Sequence, residues 1–330
     1  MQNRLSKLIN TRAENILNAP QVDLSLLSEQ ESCPLVIKPR FSGLILAEWV
    51  KENEEVFYRE LKRHGALLLR GFQINTVEKF QHFISMFVDS PLEYKQRSSP
   101  RFEVAKNIYH STTYPADQSI HMHSENSYAL SWAKKIVFCC LQPAEEQGET
   151  PIADNRSVIR YLPPALKAKF LDLGVKYVRN ISTQIGLGWR EVFQTNDRKD
   201  VENECIANGM EFEWHDDDRL VLSWYNKAIY DHPDTGEQIW FNHAFFFNKY
   251  ALNEDVLSAF ATDDELPFNT YFGNGAEITK DEIEQIGLAY DKASFIFPWE
   301  KGDVLFMDNM LMSHGRRPYK GDRKIIVSMF

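Results

Sequence analysis

His121-Met122-His123-Ser124-Glu125 is the stretch on which the fold and the chemistry of this chain turn. On a β-strand, side chains two apart share a face. His123 and Glu125 then present an imidazole and a carboxylate to the same space. A third ligand from elsewhere would complete a set of two histidines and one carboxylate on one side of a metal ion. The opposite side stays open, the arrangement that non-haem Fe(II) oxygenases use to bind cosubstrate and oxygen. Taken alone, the pentapeptide reads more readily as a polar strand end in which His121, His123 and Glu125 are only hydrogen-bonded. What favours the metal is His314, near the other end of the chain, in Met312-Ser313-His314-Gly315-Arg316-Arg317-Pro318-Tyr319.

Working outward, a glycine-bracketed apolar run in His64–Phe72 and the run Ile136–Leu141 predict buried strands, Trp299–Asn309 reads as a turn followed by a strand, and Ile325–Phe330 as an alternating strand. Glu213–Trp224 alternates as a strand, with Asp216-Asp217-Asp218 at a turn. That aspartate run lacks the regular ligand spacing of a Ca²⁺ loop and reads as a solvated turn. Helical spacing runs from Leu44 to Arg63, from Val77 to Val88 and from Lys280 to Leu288. Asp154-Asn155 suits the start of another helix. Residues 1–40 read as an irregular arm with one candidate helix, and about 184–210 as a lid or insertion. Asn107–Asp117 is polar and turn-rich and suits a pocket mouth. Trp240–Phe247 is core or pocket wall, with His243 a satisfied polar group near the pocket rather than a ligand. Many turn-spaced strands with a few early helices predict a mainly β, double-stranded β-helix (jelly roll) with flanking helices, in one domain over 1–330.

Composition narrows the function. The formal net charge is −10 and no basic patch emerges, so nucleic acid is not an expected partner. Neither is a membrane, because no apolar run approaches the ~20 residues that a span needs. The N-terminus has no continuous apolar core of a signal peptide. Cys33, Cys139, Cys140 and Cys205 form no CxxC pair and read as reduced, buried thiols of a cytoplasmic protein.

Taken in order, these motifs resemble the taurine dioxygenase family of Fe(II)- and 2-oxoglutarate-dependent oxygenases. Gly65-Ala66-Leu67-Leu68-Leu69-Arg70-Gly71-Phe72 resembles its N-terminal motif. His123-Ser124-Glu125 matches its first two iron ligands. Gly302-Asp303-Val304-Leu305, Asp308-Asn309 and His314 match the approach to its third. The similarity covers about 35–330. Ser111-Thr112-Thr113-Tyr114-Pro115, Gly148-Glu149-Thr150-Pro151 and Trp240-Phe241-Asn242 resemble the syringomycin-cluster-like branch. Glu125, where many relatives carry aspartate, resembles the clavaminate synthase and amino-acid hydroxylase branches.

The resemblance implies Fe(II) on His123, Glu125 and His314, with 2-oxoglutarate and O2 as cosubstrates. It places the cosubstrate's far carboxylate on Arg323, assisted by Thr150. Lys324 is the neighbouring alternative, but a planar guanidinium grips a carboxylate bidentately. Arg316, Arg317 and Asn242 are candidate substrate contacts, the two arginines reading equally well as a surface charge pair. The implied reaction is hydroxylation of an unactivated C–H bond in an amino acid or amino-acid-derived small molecule, free or presented on a carrier protein, in a natural-product pathway. Desaturation and cyclisation use the same iron site. Halogenation is disfavoured, since it needs an open position where Glu125 stands. A Zn²⁺ hydrolase, active without 2-oxoglutarate or O2, and a non-catalytic jelly-roll binding protein, unable to bind Fe(II), are the rival expectations.

Overall fold

The computed structural model describes residues 21–27, 33–88, 103–112, 114–183, 187–215, 218–258, 260 and 262–330. Its largest sheet has eight strands. Their order is Val22–Leu26, Leu35–Pro39, Ala66–Leu69, Val304–Asp308, Lys135–Gln142, Lys324–Met329, Ile108–His110 and Glu103–Ala105. Only the pairing of Leu35–Pro39 with Ala66–Leu69 is parallel within it. A smaller sheet runs Ser294–Phe295, Ile152–Asp154, Met312–Arg316, Ile120–His123.

Gly65–Phe72 shows no apolar–polar alternation because both faces of its strand are covered. Ala66 and Leu68 point between the two sheets. There they join Phe138, Leu305, Met307, Ile325 and Val327 of the large sheet and Ile152 and Met312 of the small one. Leu67 and Leu69 point outward, against the helices Leu46–Glu52, Glu54–His64 and Val77–Ile84, with Trp49, Phe57, Phe80 and Phe306. Truncating such a fully buried Leu to Ala costs about 2–5 kcal/mol. The motif arginine is spent on this scaffold. Arg70 makes a bidentate pair with Asp303, at 2.9 and 2.7 Å, which ties the strand containing Leu69 to the turn before Val304. Two sheets packed face to face with helices outside make the predicted jelly roll.

A third sheet, Glu211–Trp214, Leu220–Asn226, Val175–Ile181 and Phe268–Phe272, carries a separate core with the helices Asn155–Tyr161, Pro164–Leu173 and Lys280–Ala293. The last helix opens on a reciprocal cap between Thr279 and Glu282.

Three expectations need correction. The helical spacing at 44–63 is two helices, separated at Asn53, whose side chain donates back to the Trp49 carbonyl at 2.8 Å. The segment expected to be an irregular arm supplies two strands of the large sheet, because Val22, Leu35 and Ile37 reach the core under the first helices. Residues 1–20 and 28–32 of that arm lie outside the described residues, and its described part, 21–27 and 33–40, contains no helix. The expected lid forms the helices Trp189–Phe193 and Arg198–Ala207. Trp189, Val192, Val201 and Cys205 bury this segment in the core of the third sheet, and none of its described residues lines the central cavity. Residues 184–186 lie outside the description, as do Asp216 and Asp217. Asp218 is paired with Arg190 and Arg198.

Candidate active site

Strand pairing brings the distant histidines together. His123 and His314 are directly opposed across neighbouring antiparallel strands, and their ring centroids lie 4.4 Å apart. One donor atom each from His123, Glu125 and His314 falls within 4.8 Å of the others. The His123 Nδ1–H donates to the His121 carbonyl at 2.8 Å. That proton position leaves Nε2 with its lone pair, as a metal ligand requires. Two imidazoles and one carboxylate, grouped on one side, suit a divalent iron that must keep positions open.

Glu125 departs from the expected geometry. The strand ends at His123, and Glu125 sits in the turn that follows, ahead of Asn126 at φ 55°. The i, i+2 rule therefore explains the neighbourhood of the pair but not the orientation of the carboxylate.

Behind the three side chains is a buried polar layer. Ser124, between His123 and Glu125, and Ser313, beside His314, face away from the cavity and meet at 3.1 Å. Asn155 spans them, donating to Ser124 Oγ at 3.0 Å and accepting from Ser313 Oγ at 2.6 Å. All three are buried, so the network fixes the register of the strands that carry His123 and His314 in a place where water cannot substitute.

The triad forms part of the wall of a cavity of about 520 Å³. Phe138, Phe246, Phe247 and Phe268 provide much of its apolar surface, and Arg323 and Thr150 also line it. The Arg323 Nε donates to the Gly148 carbonyl at 2.8 Å, and its Nη2 lies 3.4 Å from Thr150 Oγ1. Thr150 is itself held by the Trp299 indole N–H at 3.1 Å. Burial and, next, the positive charge of Arg316 lower the Arg323 pKa to about 10. No ion pair to Arg323 occurs among the described residues. Lys324, the alternative, is exposed and does not line the cavity.

The other candidates fall elsewhere. Arg316 reaches the cavity wall, but its guanidinium donates to the carbonyls of Tyr114 at 2.8 Å, Gln118 at 2.6 Å and Pro115. It is not a surface charge: through Nη1 and Nη2 it straps the mouth segment down, while its Nε makes no hydrogen bond. Arg317 lies outside the cavity, 3.9 Å from Glu149. Asn242 is buried away from the cavity, donating to the Ala228 carbonyl and accepting from the Ala244 N–H, both at 2.8 Å.

His110, Ser111, Thr112, Tyr114 and Pro115 line the cavity, as the turn-rich mouth segment predicts. The aromatic run divides its labour. Trp240 and Phe241 are core, while His243, Phe246 and Phe247 face the cavity. His243 Nδ1 lies 2.7 Å from Ser127 Oγ, and burial, reinforced by His123, pushes its pKa well below the usual histidine value. Sequence reasoning missed Tyr128 and Phe268. Phe138 was recoverable from the alternation of its strand, in which Ile136, Phe138 and Cys140 share the inner face.

A jelly roll whose cavity is lined by two imidazoles and a carboxylate is the arrangement a non-haem iron oxygenase needs. Residues 30–329 match the taurine catabolism dioxygenase TauD, TfdA family. The chain belongs to that family and is an Fe(II)- and 2-oxoglutarate-dependent dioxygenase. It is similar to the dapdiamide synthesis protein DdaC of Enterobacter agglomerans, 38% identical over 272 residues that cover 82% of this chain and 83% of that protein. It is also similar to a clavaminate synthase-like protein of Arabidopsis thaliana, 26% identical over 322 residues, 91% of this chain and 94% of that one. Among solved structures, PvcB of Pseudomonas aeruginosa shares the fold with a TM-score of 0.54 at 14% identity, over 95% of this chain and 93% of that chain. Among the described residues, no helix is long and apolar enough to cross a membrane.

Proposed function

We propose that this single-domain chain hydroxylates an unactivated C–H bond of an amino acid or amino-acid-derived small molecule in a natural-product pathway. The observation that carries the reading is the convergence of His123, Glu125 and His314, within 4.8 Å of one another, on the wall of a cavity that also holds Arg323. The dapdiamide synthesis protein, similar over most of both chains, supports the pathway class. The four buried free cysteines support a reducing, cytoplasmic setting.

His123, Glu125 and His314 are the residues that would hold Fe(II). Bound there, the metal with 2-oxoglutarate and O2 supplies the oxidising power for the C–H bond, with decarboxylation of the cosubstrate to succinate. The chain's own groups do the rest. Arg323, with the Thr150 hydroxyl, binds and orients the far carboxylate of 2-oxoglutarate, whose charge offsets the desolvation that lowers the arginine's pKa. Phe246, Phe247 and Phe268 exclude water and orient the apolar part of the substrate. Arg316 holds the mouth segment through its carbonyls. The substrate is either free or presented on a carrier protein.

The test compares free amino acids with the same amino acids loaded on a carrier, following succinate release and product mass. Oxygen incorporation dependent on 2-oxoglutarate supports the reading. Turnover that needs neither 2-oxoglutarate nor O2 overturns it.

A further inference from the structure

A carboxylate on a turn is a poorer platform for a metal than one on a strand, because no ladder fixes its backbone. Glu125 is in that position, yet its main chain is not left to the turn. Its N–H donates to Asn309 Oδ1 at 2.8 Å, and its carbonyl accepts from Asn309 Nδ2 at 2.9 Å. The same Nδ2 donates to the Ala133 carbonyl at 2.8 Å. One amide group thus closes a two-point clamp on Glu125 and pins it to the entry of the strand Lys135–Gln142. Asn309 is fully buried, and its own backbone N–H donates to the Lys134 carbonyl at 3.0 Å. It leads the turn between the strands Val304–Asp308 and Met312–Arg316, five residues ahead of His314. Asp308 shapes this turn, accepting from the N–H groups of Met310 and Leu311 at 3.0 and 3.2 Å.

We infer that Asn309 is a positioning residue for the metal site: it sets the Glu125 carboxylate from behind, and so couples the turn-borne ligand to the strand that carries His314. The inference rests on the assignment of Glu125 as a ligand. The Asn side chain, with a donor and an acceptor on one planar group, can grip both backbone groups of a single residue at once. Supports of this kind, one bond removed from the ligand, typically govern metal affinity by about 10–100-fold. Asn309 touches neither substrate nor metal, and its effect passes entirely through Glu125.

The test uses the full chain and Co(II) alone, read by calorimetry and by the visible d–d spectrum. Wild type, Asn309→Ala, Glu125→Ala and the double variant form a cycle. Asn309→Ala is expected to weaken Co(II) binding at least about tenfold and to shift the spectrum toward that of Glu125→Ala. The double variant is expected to be no weaker than Glu125→Ala, within about twofold, because the two changes remove one ligand. A purely structural Asn309 would lower the melting temperature while leaving the Co(II) spectrum and affinity of the folded protein unchanged; that result overturns the inference. Wild type that binds no Co(II) overturns the ligand assignment instead. Hydrogen exchange of wild type needs no variant: the Glu125 amide is expected to be protected before metal is added. Protection that arises only with Co(II) counts against the clamp.

Discussion

His123 and His314 are register partners in adjacent antiparallel strands, although 190 residues separate them in the sequence. Their approach is a property of the sheet, so it precedes any metal. The apoprotein is therefore expected to carry a nearly complete ligand set, and metal binding needs little reorganisation.

The polar layer behind the ligands should show its weight on mutation. Asn155→Ala leaves Ser124 and Ser313 without their shared partner in a dry interior. Losing a buried hydrogen-bond partner costs about 1–3 kcal/mol. Urea unfolding of the apoprotein is expected to show a loss in that range. An unchanged midpoint would mean that the two serines are satisfied without Asn155.

Arg323 and Lys324 are adjacent, but only the former reaches the cavity. Arg323→Ala is expected to weaken 2-oxoglutarate binding by about 2 kcal/mol or more, roughly 30-fold, since it strips one partner from a buried charge pair. Lys324→Ala is expected to be neutral. Calorimetric titration of the metal-loaded protein with 2-oxoglutarate checks both, and the reverse pattern would move the cosubstrate contact by one residue.

Asp308 makes a pH prediction. Burial alone would raise its pKa, but the His232 hydrogen bond and the Lys135 ammonium, 2.7 Å away, hold it at about 2. An unfolded aspartate titrates near ~3.9. The folded state thus binds the proton less readily, and Asp308 stabilises the fold above about pH 4 and loses that contribution as pH falls toward 2. Asp308→Asn is expected to unfold more easily at pH 7 and to show a flatter stability curve between pH 4 and 2. Chemical denaturation across that range measures both.

Arg316 straps the 114–118 segment through three carbonyls. Arg316→Ala is expected to increase hydrogen exchange across 112–119 and to leave Co(II) affinity within about threefold, because the triad does not lean on it. If the metal affinity collapses while the segment stays protected, the strap has been misassigned.

Much of this site was legible in the chain itself. Spacing put His123 beside Glu125, and the resemblance supplied His314 and Arg323. Bracketing glycines and continuous apolarity marked the strand Ala66–Leu69, since a strand buried on both faces has no polar side to show. What escaped was tertiary. The turn at Glu125 has no local marker, because its clamp comes from Asn309 across the fold. Arg316 looked like a surface or substrate charge because its partners are backbone carbonyls, which carry no sequence signal. Asn242 looked chemical and is structural for the same reason. The polar stretch 190–204 suggested a lid, but Trp189, Val201 and Cys205 are enough to bury one side of it.

The most direct measurement of the central claim is an anaerobic titration with Fe(II) and 2-oxoglutarate, watched for the visible metal-to-ligand charge-transfer band. The band is predicted to appear with wild type at one equivalent of iron and to vanish in His123→Ala and in His314→Ala. A band that persists in both variants, or a wild-type protein that binds iron without ever developing it, would contradict the account.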